Sequence, residues 1–185
     1  EETGEAPDAE ALMLRREPLT PQMIPYDAPV LTGMVDVQGN RLEYGVYAWG
    51  PGLTGYLIDR GILDGNPAQS EVWRRLAGLV AQHYATADGV LWPVDAWGID
   101  AGYMSQMVYQ FVRGRPGVYA LDGRSGWQRP FVGSPRHVDI RSTGKTIRNG
   151  AKIWPTGTFN LKSWVYGALR KTIDGPDADG TWQPG

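Results

Sequence analysis

A Gly-Asn pair at residues 39 and 40 does most to limit what this chain can fold into. It separates Val30-Leu31-Thr32-Gly33-Met34-Val35-Asp36-Val37-Gln38 from Arg41-Leu42-Glu43-Tyr44-Gly45-Val46-Tyr47-Ala48-Trp49. Both flanks are rich in β-branched or aromatic residues, and glycine and asparagine tolerate the left-handed backbone of a two-residue turn. The stretch therefore predicts a tight hairpin, with strands over 30–37 and 41–49. A two-residue loop also fixes the register. Gln38 falls opposite Arg41, Val37 opposite Leu42 and Asp36 opposite Glu43. Two carboxylates facing each other on one side of a sheet repel. A divalent cation held between them offsets that repulsion. The plain alternative is a pair of solvated acids at a strand end.

Further along, Pro51-Gly52 turns the chain into a third strand over 53–59, which makes an antiparallel meander. A loop is expected from Gly61 to Pro67. Helical spacing then runs over 68–84, with Val72, Trp73, Leu76, Leu79, Val80 and Tyr84 on one side and His83 near the end. An apolar run through Val94, Trp97 and Ile99 ends on Asp100-Ala101-Gly102, a second strand with an acid at its carboxyl end. A helix over 103–113 follows, with Met104, Met107, Val108 and Phe111 at core spacing, then a strand over 117–121. The order β-β-β-α-β-α-β predicts an α/β fold. Its sheet is mixed: three antiparallel strands, then parallel strands joined through crossover helices. Functional groups in such sheets gather beyond the carboxyl ends of the strands. Asp36 and Asp100 both end apolar strands, so one crevice can hold both.

The body predicted from these patterns spans 30–173. Residues 1–29 hold Pro18, Pro21, Pro25 and Pro29 and read as a linker or an arm draped on the domain, with a short helix over 8–16. Residues 174–185 are rich in Gly, Pro and Asp and read as a loose tail. The chain begins on Glu1 rather than Met, as a piece of something longer would, and its first residues are too acidic and polar for a secretory signal. No run approaches the roughly 18 apolar residues of a membrane span, so no membrane partner is expected. There are no cysteines, and His83 and His137 are the two histidines. Disulfides, Cys-based zinc sites and His-rich sites are thereby excluded. A metal site in this chain must be built from carboxylates, which favours Mg²⁺ or Mn²⁺.

Charge is unevenly spread. Residues 1–112 carry 6 Lys/Arg against 15 Asp/Glu, a net of −9, whereas residues 113–171 carry 12 against 2, a net of +10. The later block is the expected surface for a polyanion. Within it, Val138-Asp139-Ile140-Arg141, Thr146-Ile147 and Ala151-Lys152-Ile153-Trp154 predict a β-ribbon with a basic tip. Arg141, Lys145 and Arg148 are its candidate phosphate contacts. Arg124 and Arg129, in the preceding Gly- and Arg-rich stretch, and Lys162, on a last helix over 160–171, are the others. Gly144-Lys145-Thr146 is not a phosphate-binding P-loop, because Asp139 stands where that motif needs a glycine.

Several of these stretches together resemble one family. Leu31-Thr32-Gly33 followed by Val35-Asp36-Val37-Gln38, Arg41-Leu42-Glu43 and Trp49-Gly50 is similar to the nuclease domain of lambda-type phage terminase large subunits. So are Ile99-Asp100-Ala101-Gly102 with Val108-Tyr109 in the next helix, and Trp154-Pro155-Thr156-Gly157-Thr158 with Leu161-Lys162 and Tyr166-Gly167. Gly4-Glu5-Ala6-Pro7-Asp8 and Arg15-Arg16-Glu17-Pro18 resemble the segment that joins the family's ATPase to its nuclease. The resemblance implies an RNase H-like fold with the basic ribbon as an insertion. It also implies a Mg²⁺- or Mn²⁺-dependent endonuclease that uses two ions to cut concatemeric viral double-stranded DNA during packaging, with Asp36 bridging the ions. The implied partners are DNA, an ATPase domain of the same polypeptide, the terminase small subunit and the portal or procapsid, in the host cytoplasm.

The family pattern has a third acid just ahead of the last helix. Here that stretch reads Gly157-Thr158-Phe159-Asn160-Leu161-Lys162, without a carboxylate. Glu43 completes the set, Asn160 ligates through its amide oxygen with low metal affinity, or this copy is impaired. Two rival readings remain at this stage. One is a DNA-binding or docking lobe without catalysis, which the missing acid favours. The other is the RNase H-like core of a resolvase or transposase.

Overall fold

A computed structural model describes residues 8–14, 18–142 and 144–171. The rest of the expected arm, Thr143 of the expected basic tip and the expected tail from 174 lie outside these residues. In chain order the elements are α1 (Ala9–Leu14), β1 (Met23–Ile24), β2 (Val30–Val37), β3 (Arg41–Trp49), β4 (Gly55–Asp64), α2 (Ser70–Val80), β5 (His83–Thr86), β6 (Leu91–Pro93) and β7 (Ala96–Asp100). They continue with α3 (Ser105–Val112), β8 (Val118–Arg124), β9 (Arg136–Ser142), β10 (Lys145–Gly157) and α4 (Thr158–Lys171).

The hairpin forms in the expected register. Asp36 pairs with Glu43 and Val37 with Leu42, and the Gln38 N–H donates to the Arg41 carbonyl at 3.0 Å. Seven strands build the main sheet in the order β4-β3-β2-β7-β8-β10-β9. β2, β7, β8 and β10 run parallel to their neighbours in that series, and the outer pairs are antiparallel. This is the mixed sheet predicted from the sequence, compatible with an RNase H-like fold. The ribbon β9–β10 is continuous with it, because β10 pairs with β9 on one side and β8 on the other.

The sheet has one covered face and one open face. Leu31, Val35, Val37, Leu42, Val46, Trp97, Ile99, Ala120 and Ile153 alternate along their strands onto the covered side. There they join Val72, Trp73, Leu76 and Leu79 of α2 and Val108, Phe111 and Val112 of α3 in a single core. Trp73 and Phe111 bring the two helices together, with ring centroids 5.4 Å apart. Gly33 is required on this side. A Cβ there would stand 2.2 Å from the Trp97 ring, which lies flat over the glycine. The open side carries Val30, Met34, Leu57, Ile62 and Tyr119, all substantially exposed. An antiparallel sheet packed on one side commonly leaves the other to solvent, as the β4-β3-β2 part does here.

Three expectations change. The third strand is longer than 53–59. It runs to Asp64 because it pairs with β3 along its whole length, so the expected loop from Gly61 shrinks to 65–69. Gly61 permits this by leaving room for the Tyr44 ring, since a Cβ would lie 2.7 Å from the Tyr44 hydroxyl. The helix expected over 68–84 ends at Val80, where the Ala81 N–H bonds back to the Ala77 carbonyl at 3.2 Å. His83 and Tyr84 then lie on β5, in a second, three-stranded sheet ordered β1-β5-β6. Tyr84 is held there by a 2.9 Å hydrogen bond from its hydroxyl to Asp59, and burial, reinforced by that carboxylate, raises its pKa far above the ordinary tyrosine value. Pairing of β1 with β5 brings Ile24 and Ala28 into the core.

Candidate metal centre at the strand ends

The parallel strands all finish at one edge of the sheet. Val35 of β2 pairs with Ile99 of β7, so the next position along sets Asp36 beside Asp100. Asp36 also faces Glu43 on its other side. The three acids therefore form a row, Glu43–Asp36–Asp100, across three adjacent strands on the open face. Strands about 4.8 Å apart make that row roughly 10 Å long at the main chain. One step down the strands, Gly98 makes room for Met34 and Leu121. A Cβ at Gly98 would lie 2.6 Å from the Leu121 side chain and 2.8 Å from the Met34 sulfur. The acids thus stand on an apolar floor.

Each carboxylate has a local partner. Asp36 accepts a hydrogen bond from the Gln38 side-chain amide. Asp100 accepts from the Gly102 N–H at 3.1 Å. Glu43 is turned toward Arg41, whose Nε donates to its Oε1 at 2.7 Å and whose Nη2 lies 2.6 Å from the same oxygen. Among the described residues, no three His, Cys, Asp or Glu side chains are drawn together as a metal-binding group. The row is in register, but Glu43 points along its own strand. Just past Asp100, Met104 takes a left-handed backbone conformation, φ 51°, at the entry to α3. Non-glycine residues in that region concentrate near functional sites.

Asn160 is not part of the row. It lies in the first turn of α4, which follows β10, two strands away from β7. Its Nδ2 donates to the main-chain carbonyls of Trp127, at 3.0 Å, and Arg129. The basic candidates fall into three groups. Arg141, Lys145 and Arg148 are exposed on the β9–β10 ribbon, Arg148 within the stretch where its register shifts. Arg124 ends β8 and pairs with Asp122 at 2.5 Å, and Arg129 lies in the loop that follows. Lys162 is exposed on α4. Sequence reasoning passed over Arg41, Gln38 and Arg136, which shares Asp122 at 3.3 Å. Arg41 was open to detection, since residues two apart on a strand share a face.

Comparison with known proteins decides the family. A family model described as the terminase large subunit gpA, endonuclease domain, matches residues 1–180. This chain belongs to that family. Within it, the terminase large subunit of Escherichia phage lambda is 27% identical over 183 residues, 94% of this chain and 26% of the phage protein. The large subunit of Enterobacteria phage P21 is 28% identical over 178 residues, 92% of this chain and 26% of that protein. The chain thus spans about a quarter of the length of these relatives. No solved structure gives a significant match. For a gpA-type endonuclease domain the donor set suits a hard divalent ion. Mg²⁺ is held by one or two carboxylates, with water and substrate phosphate supplying the rest. Asp36 and Asp100 offer two on neighbouring strands, with Glu43 within a side chain's reach. No helix among the described residues is long and apolar enough to cross a membrane.

Proposed function

We propose that this chain is the metal-dependent endonuclease domain of a phage packaging terminase, cutting concatemeric double-stranded DNA by hydrolysis of phosphodiester bonds. The observation that carries the reading is the β2–β7 register, which sets two strand-ending acids side by side on an open face in a chain of the gpA endonuclease family. Asp36 and Asp100 would hold Mg²⁺ or Mn²⁺. Two such ions, when bound, neutralise charge on the phosphodiester and lower the pKa of an attacking water. Asp36 has an acid on each side, so it is the residue suited to serve both ions. Glu43 would join the set only by giving up its pair with Arg41. Arg141, Lys145, Arg148, Arg129 and Lys162 meet the phosphates of the DNA, and Arg124 contributes once released from Asp122. An ATPase domain of the same polypeptide, the terminase small subunit and the portal are the partners this reading implies, in the host cytoplasm.

The test is cleavage of plasmid DNA by the purified chain. Nicked and linear products are expected with Mg²⁺ or Mn²⁺ and none in EDTA. Asp36→Ala and Asp100→Ala should each lower the rate on the order of 10²–10³, as loss of a charge-stabilising group does. An Asp36→Ala chain that cuts like wild type refutes the site. A second reading, a docking lobe that binds DNA without cutting it, draws on the Arg41 grip on Glu43 and on Asn160 standing in place of an acid. DNA binding by wild type with no cleavage under any divalent ion would favour it.

A further inference from the structure

The loop between β8 and β9 holds apolar side chains out into solvent on a backbone that is firmly tied down. Trp127 is 57% exposed and Phe131 47%. Asn160 bonds the carbonyls of Trp127 and Arg129. The Gly157 N–H bonds the carbonyls of Pro130 and Phe131, both at 3.1 Å, and the Gly133 N–H bonds Pro155 at 2.8 Å. Gly157 is needed for this contact, because a Cβ there would stand 2.5 Å from the Pro130 oxygen. Trp127 also meets Phe159 edge-on, with centroids 5.6 Å apart. A pinned loop with two exposed rings loses little freedom when something settles on it.

We infer that Trp127 and Phe131 form a stacking platform for an unpaired base of the DNA held at the strand-end site. The inference rests on the nuclease reading above. Three observations point to a nucleobase rather than an apolar protein segment. In sequence the rings alternate with Arg124, which is paired with Asp122, and Arg129, an exposed cation of the loop, and exposed rings beside basic residues are what single-strand-binding surfaces use. The surrounding block, residues 113–171, carries a net +10, complementary to a polyanion. The loop also lies at the right place. Leu121 of β8 is level with Asp100, and the strand continues three residues to Arg124 before the loop begins. The loop thus begins past the carboxyl end of β8, at the same end of the sheet as the acids, and its 130–133 segment runs along β10, two strands over from Asp100. The base must be unpaired, because a base inside a duplex has both faces covered by its neighbours. The loop therefore recognises DNA that frays or opens on the ribbon side of the cut.

The experiment compares the 185-residue chain and its Trp127→Ala, Trp127→Phe and Phe131→Ala variants in EDTA. The probes are a matched duplex and the same duplex with a short unpaired stretch containing 2-aminopurine. Wild type is expected to prefer the opened probe and to quench the 2-aminopurine fluorescence. Trp127→Ala should weaken binding of the opened probe by roughly 5- to 150-fold, the loss of one stacked base, and abolish the quenching. Its affinity for matched duplex and its salt dependence should be unchanged, its thermal melting should fall only slightly through loss of the Phe159 edge contact, and Trp127→Phe should retain most of the preference. If wild type binds duplex in EDTA and cuts it in a parallel reaction with Mg²⁺, while Trp127→Ala and Phe131→Ala leave quenching and preference intact, the platform is refuted and the nuclease reading stands. Equal losses on both probes would also overturn it, as a general contact. If wild type binds neither probe, the nuclease reading fails and takes the platform with it.

Discussion

Replacing Arg41 with Gln removes the guanidinium that holds Glu43, and the effect on metal use can be worked from the ion pair itself. Arg41 reaches one carboxylate oxygen through Nε at 2.7 Å and Nη2 at 2.6 Å, and its Nη1 also meets the Asn40 side chain at 3.1 Å. The two side chains are 38% and 42% exposed, so solvent screens much of their attraction. Pairs of this kind are worth about 0.2–1 kcal/mol. If Glu43 must leave Arg41 to reach a cation beside Asp36, that energy opposes metal binding in the wild type. Removing it should lower the Mg²⁺ concentration for half-maximal plasmid cleavage by roughly 1.4- to 5-fold, since 1.4 kcal/mol is tenfold at 25 °C. Mn²⁺ binding followed by electron paramagnetic resonance should shift in the same direction. The control is a double-mutant cycle. In a Glu43→Gln background, Arg41→Gln should have no further effect on the Mg²⁺ requirement. A higher Mg²⁺ requirement in the single variant, or an equal shift in the Glu43→Gln background, refutes the idea that Glu43 moves between an arginine and a metal.

Three further outcomes are expected. Replacing Arg141, Lys145 and Arg148 together should flatten the plot of log K against log salt by roughly 0.9 per lost phosphate contact; an unchanged slope puts the duplex elsewhere. Gly33→Ala drives a methyl group toward the Trp97 ring and should destabilise the fold by about 1–3 kcal/mol, or more. Thermal unfolding reads that directly, and an unshifted midpoint would show that the ring can yield. Asn160→Asp turns a carboxylate toward two carbonyl oxygens and should free the loop, raising amide exchange over 127–131 about fivefold or more. A lower Mg²⁺ requirement in that variant would instead assign Asn160 to the metal.

Much of this architecture was legible because it is written in local chemistry. Gly39-Asn40 set the hairpin register, and with it the facing of Asp36 and Glu43, before any tertiary contact was considered. The strand ending at Asp100, the helix after it and the β9–β10 ribbon followed from apolar spacing in the same way. The small sheet was not legible. β1 and β6 are two and three residues long, too short to carry a period. Tyr84 falls on the helical spacing of α2, yet its hydroxyl is claimed by Asp59 on β4 and the chain leaves the helix to reach it. The site divides along the same line. Which strand ends carry acids could be read from the sequence. Which way Glu43 turns, and what Asn160 ties, are matters of rotamer and distant neighbours, and no pattern of residue types specifies them.

Charge is sorted across the sheet as well as along the chain. β3, β2 and β7 carry Glu43, Asp36 and Asp100, whereas β9 and β10, at the far edge, carry Arg136, Arg141, Lys145, Arg148 and Lys152. The sheet is thus an electric dipole lying in its own plane. A negatively charged rod drifting in from solution feels a torque before it touches anything. The basic edge draws it in and the acid row holds it off, so the first encounter pivots about the ribbon. Such steering reaches about 8 Å at physiological salt and can multiply association rates on the order of 10- to 1,000-fold. Edge first and centre last is the order of arrival this charge layout predicts for DNA, set by which strands carry the arginines.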